Sequence, residues 1–490
     1  STPIKSSAAS DVYKRQLLAG WYFLNWKKKF QLAQGYLIGM SLWFYAYANL
    51  QYLWLLLFSC LIGWLLSCVL EKISSEKGKK VLTGVGCVFH LGLLGYFKYS
   101  NFFLENLNTV FHTDFPMLQI LLPVGISFYT FQQLAYLIDR CRGDAPRDSF
   151  FDYLTFMVYF PQLLQGPILL RSEFMGQLKE PERRRFHAER FSEGIQFFVF
   201  GLAKKVLLAD TLAKAVNYGY SNVSMLDSIS ALLLAVGYLT ELYFDFSGYC
   251  DMAVGLGKMI GLEVTENFDA PFHSASVKEF WRRWHMTLGR FFTRYVYIPL
   301  GGNRRGKMRT LCNVMIVMLL SGLWHGAAWT FVLWGFLHGV GMIWDNLEHP
   351  HLPKKWMRQA ATFAYVCMTF VFFRAESIAQ GVDVLKSIVS LKWNGFVFQM
   401  ASALDLTEFY MITKALSMKL PGLLSWFWLG IFVVLIAICF RVLSGEKVSG
   451  VVALQRQKGY GRLYPVLLAV LFTWSMISMT GVSEYLYFSF

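Results

Sequence analysis

The sequence predicts an all-α integral membrane protein of roughly ten to thirteen transmembrane or re-entrant helices, with amphipathic helices lying in the interface plane. Three observations carry this. Of the 490 residues, 55% are hydrophobic and 16% charged, where soluble domains are about a quarter charged. The apolar residues come in blocks of about twenty, the length that crosses a bilayer as a helix. The net charge of +15 is gathered into short loops between those blocks, which the positive-inside rule assigns to the cytoplasm.

In chain order, residues 1–16 are polar and serine-rich, with no apolar signal-peptide core, and read as a non-native or disordered leader. Residues 17–26 are apolar but too short to span alone, as a truncated first helix would be. Apolar blocks follow at 34–49, 51–70, 81–98, 117–138, 153–170, 228–246, 311–344, 359–373, 421–441 and 463–482, with shorter ones at 195–209 and 250–262. Basic stretches separate them at 27–29, 71–80, 140–147, 183–190, 282–309, 354–358 and 447–462, and can also meet anionic lipid heads. Dispersed in this way, the positive charge does not point to nucleic acid. The longest polar interval, 179–190, is too short for a soluble core, and 444–462 reads as one basic loop. The chain is therefore one membrane domain over 17–490, with a core at about 117–345 and C-terminal helices over 356–490. Its aromatic end, 485–490, suits a membrane interface. The absence of an evident internal repeat argues against an inverted-repeat transporter.

Taken as one helix, residues 278–297 place Lys278, Arg282, Arg283, Arg290 and Arg294 on one side. Phe280, Trp281, Trp284, Leu288, Phe291, Phe292 and Tyr295 fall on the other, with His285 near the boundary. A cationic face opposite an aromatic one describes a helix lying in the interface. It serves as an anchor or as a wall that receives a phosphorylated acyl donor.

Residues 311–344 contain no Asp, Glu, Lys or Arg, yet they hold His325 in Ser321-Gly-Leu-Trp324-His325-Gly326. An ionisable side chain in a membrane segment is costly and signals function. One helix of this length would run about 50 Å against a hydrocarbon core of about 30 Å, while two full crossings need about forty residues. The basic flanks on both sides imply a broken or re-entrant pair, with Ser321, Gly322 and Gly326 as the joint and His325 bordering a cavity. On an unbroken helix His338 would lie about 220° around the axis from His325, so the two rings share a site only if the helix breaks.

Asp245 and Asp251 bracket Phe244-Asp245-Phe-Ser247-Gly248-Tyr249-Cys-Asp251, and each needs a cation or hydroxyl partner inside the membrane. His90 reads as satisfied core; His112, His187, His273, His349 and His351 lie in loops. No HxxxH or HExxH points to a metal, and no GxSxG, Walker loop or dinucleotide fingerprint occurs. The eight cysteines form no CxxC pair and read as buried thiols. What remains is a membrane imidazole, a good general base near neutral pH, which can take the proton of a hydroxyl as it attacks an acyl thioester without a covalent intermediate.

Several motifs together resemble the membrane-bound O-acyltransferase family. They are Glu279-Phe-Trp281-Arg-Arg-Trp284-His285-Met-Thr-Leu288, Tyr297-Ile-Pro299-Leu-Gly301-Gly302-Asn303, the two Trp/His/Gly segments around His325 and His338, Phe244-Asp245-Phe-Ser247-Gly248-Tyr249, Phe160-Pro161-Gln162, Gly201-Leu-Ala-Lys204-Lys205-Val, and Phe372-Phe373-Arg374-Ala375. Within the family the chain is most similar to the bacterial alginate-type polysaccharide O-acetyltransferases. The resemblance implies helices around a central tunnel and His325 as the catalytic histidine. It also implies supporting or tunnel-lining places for His338, His285, Asp245, Ser247, Tyr249, Asp251, Trp324 and Asn313, and donor contacts from Arg282, Arg283 and Trp284. No metal and no bound cofactor are expected. The donor is acetyl-CoA or another acyl thioester on the cytoplasmic side. The acceptor is a glycan, reached through a secreted or membrane-anchored acetyltransferase partner, and the expected location is the bacterial cytoplasmic membrane. Teichoic-acid D-alanyltransferase activity is the alternative within the family. A proton-coupled transporter relaying through Asp245, Asp251 and His325, or a scaffold that only recruits the secreted partner, are the alternatives outside enzymes.

Overall fold

The computed structural model describes residues 7–347, 354–443, 447–459 and 461–479, and every regular element among them is helical. The aromatic end at 485–490, His349 and His351 lie outside the described residues. Helices follow from the environment, because a backbone in lipid must satisfy its own hydrogen bonds. Among the described residues, five helices are long and apolar enough to cross a membrane: Leu50–Lys72, Glu76–Phe111, Ser228–Ile260, Lys307–His325 and Pro421–Leu443. Large apolar side chains such as Trp54, Phe58, Val88, Val433 and Val470 point outward from the packed interior. That is the pattern of a lipid-facing surface, since a soluble protein would bury or charge them. The molecule is an all-α, multi-pass membrane protein.

Helices α1 (Ser7–Trp26) and α2 (Phe30–Asn49) form a hairpin, so the first helix begins ten residues before the apolar block at Leu17. Helix α3 (Leu53–Lys72) is followed by α4 (Glu76–Leu94), whose N-cap Ser75 accepts from Gly78 N–H. Helix α4 does not end at the apolar block's last residue. A π turn, Gly95–Tyr99, carries it into α5 (Ser100–Phe111). The expected span at 117–138 becomes helical only at α6 (Ile126–Arg142). Pro116, Pro123 and the left-handed Gly125 (φ 76°) keep the preceding residues out of helix.

The block at 153–170 is not a span. It divides at Tyr159 into α7 (Phe150–Val158) and the single turn α8 (Phe160–Leu163), with Pro161 in the first turn of α8, and lies buried within the molecule. Helix α9 (Arg171–Lys179) leads to α10 (Ala188–Ala203), which passes through a second π turn, Lys204–Ala209, into α11 (Asp210–Ser221). The apolar blocks at 228–246 and 250–262 merge in one helix, α12 (Ser228–Ile260), about 50 Å long. It forms the centre of the molecule because its backbone meets that of α10: a Cβ on Gly201 would lie 2.5 Å from Gly248 O, and one on Gly255 2.6 Å from Gly194 O.

The single interfacial helix expected at 278–297 is corrected to three pieces: α13 (Val277–Arg283), α14 (Met286–Phe292) and a π turn, Thr293–Tyr297. His285 sits at the break in the left-handed region (φ 46°), so the two faces drawn on one helical wheel do not persist across it. The expected re-entrant pair is a helical hairpin, α15 (Lys307–His325) and α16 (Trp329–Asn346). Helices α17 (Lys355–Arg374), α18 (Ile378–Val389), α19 (Phe396–Ser402), α20 (Tyr410–Lys419) and α21 (Pro421–Leu443) follow. The basic loop expected at 444–462 contains a helix, α22 (Val448–Lys458), before α23 (Leu463–Ser478).

Candidate active site

His325 is the last residue of α15, and the chain turns at 326–328 before α16 begins. Of the three residues expected to form the joint, only Gly326 is in it. Ser321 and Gly322 remain helical. Gly322 serves close packing instead: a Cβ there would lie 2.3 Å from Phe331 O of the returning helix. The break gives His325 and His338 one shared neighbour. The Trp334 ring lies 5.2 Å from the His325 ring and 4.8 Å from that of His338.

Aromatic rings enclose His325. Ring centroids of Trp324 and Phe373 lie at 4.8 and 5.1 Å, and that of His285 at 6.3 Å. His325 is buried, with 5% of the residue's surface exposed. A cavity of about 1880 Å³ reaches Phe331 and Phe373, the latter in contact with the His325 ring. Its polar floor includes Lys204, Lys205, Glu241 and Asp245.

His338 is held on both ring nitrogens. Trp281 Nε1 donates to His338 Nδ1 at 3.2 Å, and His338 Nε2 lies 2.9 Å from Thr369 Oγ1. An indole N–H only donates, so Nδ1 carries no proton and the ring is the neutral Nε2–H tautomer. Thr369 donates its own hydroxyl hydrogen bond to Val366 O at 2.8 Å. This ring is a bracket between α13, α16 and α17.

His285 differs. Its Nδ1 lies 3.2 Å from Asn267 Oδ1, which also accepts from Thr287 N and Oγ1 at 3.1 and 2.9 Å. Nδ1 is then the donor, leaving Nε2 an acceptor with no hydrogen-bond partner among the described residues. His285 thus presents a lone pair in the same aromatic cluster as His325. The indole N–H of Trp334 is likewise buried and without a hydrogen-bond partner among the described residues.

The remaining sequence candidates fall into groups. Asp245 pairs with Lys205 at 2.5 Å and Asp251 with Lys204 at 2.6 Å, meeting the expected need for cations. Both lysines come from the start of the second π turn. Ser247 is buried and Tyr249 half-buried on α12. Trp324 packs between Phe128 and His325. Asn313 is not beside the imidazole. It lies twelve residues earlier on α15, about 18 Å along the axis, where its Nδ2 donates to Gly302 O at 2.9 Å. The expected donor residues also separate. Arg282 is exposed, Arg283 is tied to Glu279 at 3.0 Å, and Trp284 is buried among Phe268, Phe280 and Phe370. No group of three or more His, Cys, Asp or Glu side chains that could hold a metal occurs among the described residues.

Three residues of this region were not singled out from the sequence. Asn267 gave no signal: it is a loop asparagine 18 positions from its histidine. Lys98 did, as a lone charge closing the apolar block at 81–98, and the neighbouring Tyr99 shares its role: both reach the end of α15.

Residues 142–380 match the family described as membrane-bound O-acyltransferase. The peptidoglycan O-acetyltransferase of Helicobacter pylori is 36% identical over 388 residues, covering 73% of each chain. A probable alginate O-acetylase of Azotobacter vinelandii is 38% identical over 74% of this chain and 73% of its own. The teichoic acid D-alanyltransferase of Streptococcus thermophilus is more distant, at 28% identity over 49% of this chain and 58% of its own. The chain belongs to the membrane-bound O-acyltransferase family. It is a membrane O-acyltransferase, similar in particular to bacterial polysaccharide O-acetyltransferases.

Proposed function

We propose that the protein lies in the bacterial cytoplasmic membrane and moves an acetyl group from a cytoplasmic thioester, acetyl-CoA, to an extracytoplasmic hydroxyl. The hydroxyl belongs to the glycan itself or to a secreted or anchored partner that completes the transfer. His325 is the general base. The observation that carries this reading is the place of that imidazole, at the break of a membrane hairpin and against Phe373, which lines a large cavity. The acceptor O–H gives its proton to an imidazole nitrogen while its oxygen attacks the thioester carbonyl. The C–S bond breaks, and the departing thiolate takes the proton back, leaving an ester and a thiol. The exposed Arg282 is where the phosphates of the donor would first meet the protein.

Purified protein in lipid vesicles, given radiolabelled acetyl-CoA, tests this directly. His325→Ala should lose about 10²–10⁴-fold in turnover, the range for a removed general base. Unchanged turnover in that variant would remove His325 from the chemistry. A second reading, D-alanyl transfer, is favoured only by the more distant relative, and turnover of a D-alanyl thioester in preference to acetyl-CoA would establish it.

A further inference from the structure

We infer that Lys98 and Tyr99 are positioning residues for the His325 imidazole, delivered by the π turn between α4 and α5. The inference rests on His325 being the base.

Helix α15 ends at its most important residue, and the last four carbonyls of any helix lack partners within it. Inside a membrane no bulk water supplies the missing donors. Here each of the four is met. Gly326 N–H donates to Gly322 O at 3.3 Å, and Tyr99 Oη to Leu323 O at 2.5 Å. The Lys98 ammonium donates to Trp324 O at 2.7 Å and to His325 O at 2.9 Å. The third ammonium proton has Ser127 Oγ at 3.5 Å. Three of the four caps thus come from two adjacent residues on another helix, more than 220 positions away in sequence.

Adjacent residues on a regular α-helix point about 100° apart, which makes a joint grip on one target difficult. The widened turn, Gly95–Tyr99, lies at this point, and such turns mark functional sites in many helices. The charge also fits. No carboxylate pairs with Lys98 among the described residues, and its counter-charge is the negative end of the α15 dipole. An unpaired ammonium in a membrane segment is expensive, so a lysine used only for anchoring would be a poor choice where a neutral donor could serve. The clamp fixes the peptide that carries the His325 side chain. Without it the turn at 326–328 could unwind the last residue of α15 and move the ring relative to the acceptor.

Wild type, Lys98→Met, Lys98→Arg, Tyr99→Phe and His325→Ala are compared in lipid vesicles by initial rates over a range of acetyl-CoA concentrations, per folded molecule as judged by size exclusion. Lys98→Met should lower kcat by about 100-fold, the cost of a base displaced by about 1 Å, while the KM for acetyl-CoA stays within about twofold. Lys98→Arg, which keeps the cation and its donors, should recover most of that loss. Tyr99→Phe, lacking a single hydroxyl, should lower kcat by about 3–10-fold. A folded Lys98→Met with wild-type kcat overturns the inference, as does a KM that rises in step with the fall in kcat, or a Lys98→Arg no better than Lys98→Met. Should Lys98→Met fail to fold, Tyr99→Phe decides, and wild-type kcat there is the overturning result. Full turnover in His325→Ala removes the base assignment and this inference together; full turnover in the Lys98 and Tyr99 variants alone removes only the positioning.

Discussion

Three histidines within one aromatic cluster do different work, and their hydrogen bonds separate them. His338 has a donor on one nitrogen and a hydroxyl on the other, so it has nothing left with which to accept a substrate proton. Its removal should therefore show in stability more than in chemistry. His338→Leu leaves the Trp281 N–H unpartnered in the core, which costs about 1–3 kcal/mol. The expected outcome is a lowered thermal midpoint in detergent, with turnover per folded molecule falling far less than in His325→Ala. Equal losses of turnover in the two variants would place His338 in the reaction. His285 stands between these cases: Asn267 fixes one nitrogen and leaves the other an acceptor.

At the scale of elements, the long central helix α12 begins at a carboxylate with four donors. Asp227 accepts from Ser230 N at 2.8 Å and Ser230 Oγ at 2.7 Å on one oxygen, and from Asn394 N and Gly395 N at 3.1 Å on the other. The cap thereby ties α12 to the loop before α19. Burial alone would raise this carboxyl, but the Ser230 hydroxyl and the three N–H groups hold it below the usual carboxylate range. A group whose pKa is depressed on folding stabilises the protein above its unfolded value, about 3.9 for Asp, and that stability fades as pH falls through the lower folded value. Asp227→Asn should cost about 1–3 kcal/mol at neutral pH, because an amide NH₂ would face the Asn394 and Gly395 backbone donors and leave them unsatisfied. The gap in thermal midpoint between wild type and variant should hold from pH 7 to about 5 and narrow as the pH is taken below about 4. A gap that does not change with pH would mean that the charge of Asp227 contributes nothing.

Over the whole molecule, what the sequence revealed and what it concealed have separate physical causes. The membrane class, the hairpin at 311–344 and the cationic partners required by Asp245 and Asp251 all follow from the cost of polar groups in hydrocarbon, which composition and spacing record directly. Hydropathy does not record where an apolar block is folded back or merged. Residues 153–170 look like a span because they are buried in protein rather than in lipid. The blocks at 228–246 and 250–262 look like two because Asp245 and Asp251 lower the local average, although their lysine partners make one continuous helix tolerable. Left-handed His285, which breaks the interfacial helix, and Asn267, which orients it, act through single contacts that leave no periodic trace.

The 19-residue α15 and 18-residue α16 have one further consequence. Each is about 27–29 Å long, slightly less than the hydrocarbon layer of an average bilayer, so host lipid chain length sets how deeply the turn holding the imidazole is immersed. Membranes of long-chain lipid should draw that turn beneath the acyl tails and away from a water-borne sugar, whereas short-chain lipid should bring it to the headgroups. Acetylation rates in vesicles of graded chain length, from 14 to 22 carbons, should fall as thickness grows. A flat response would mean that the surrounding helices hold the hairpin at a fixed height whatever the host membrane.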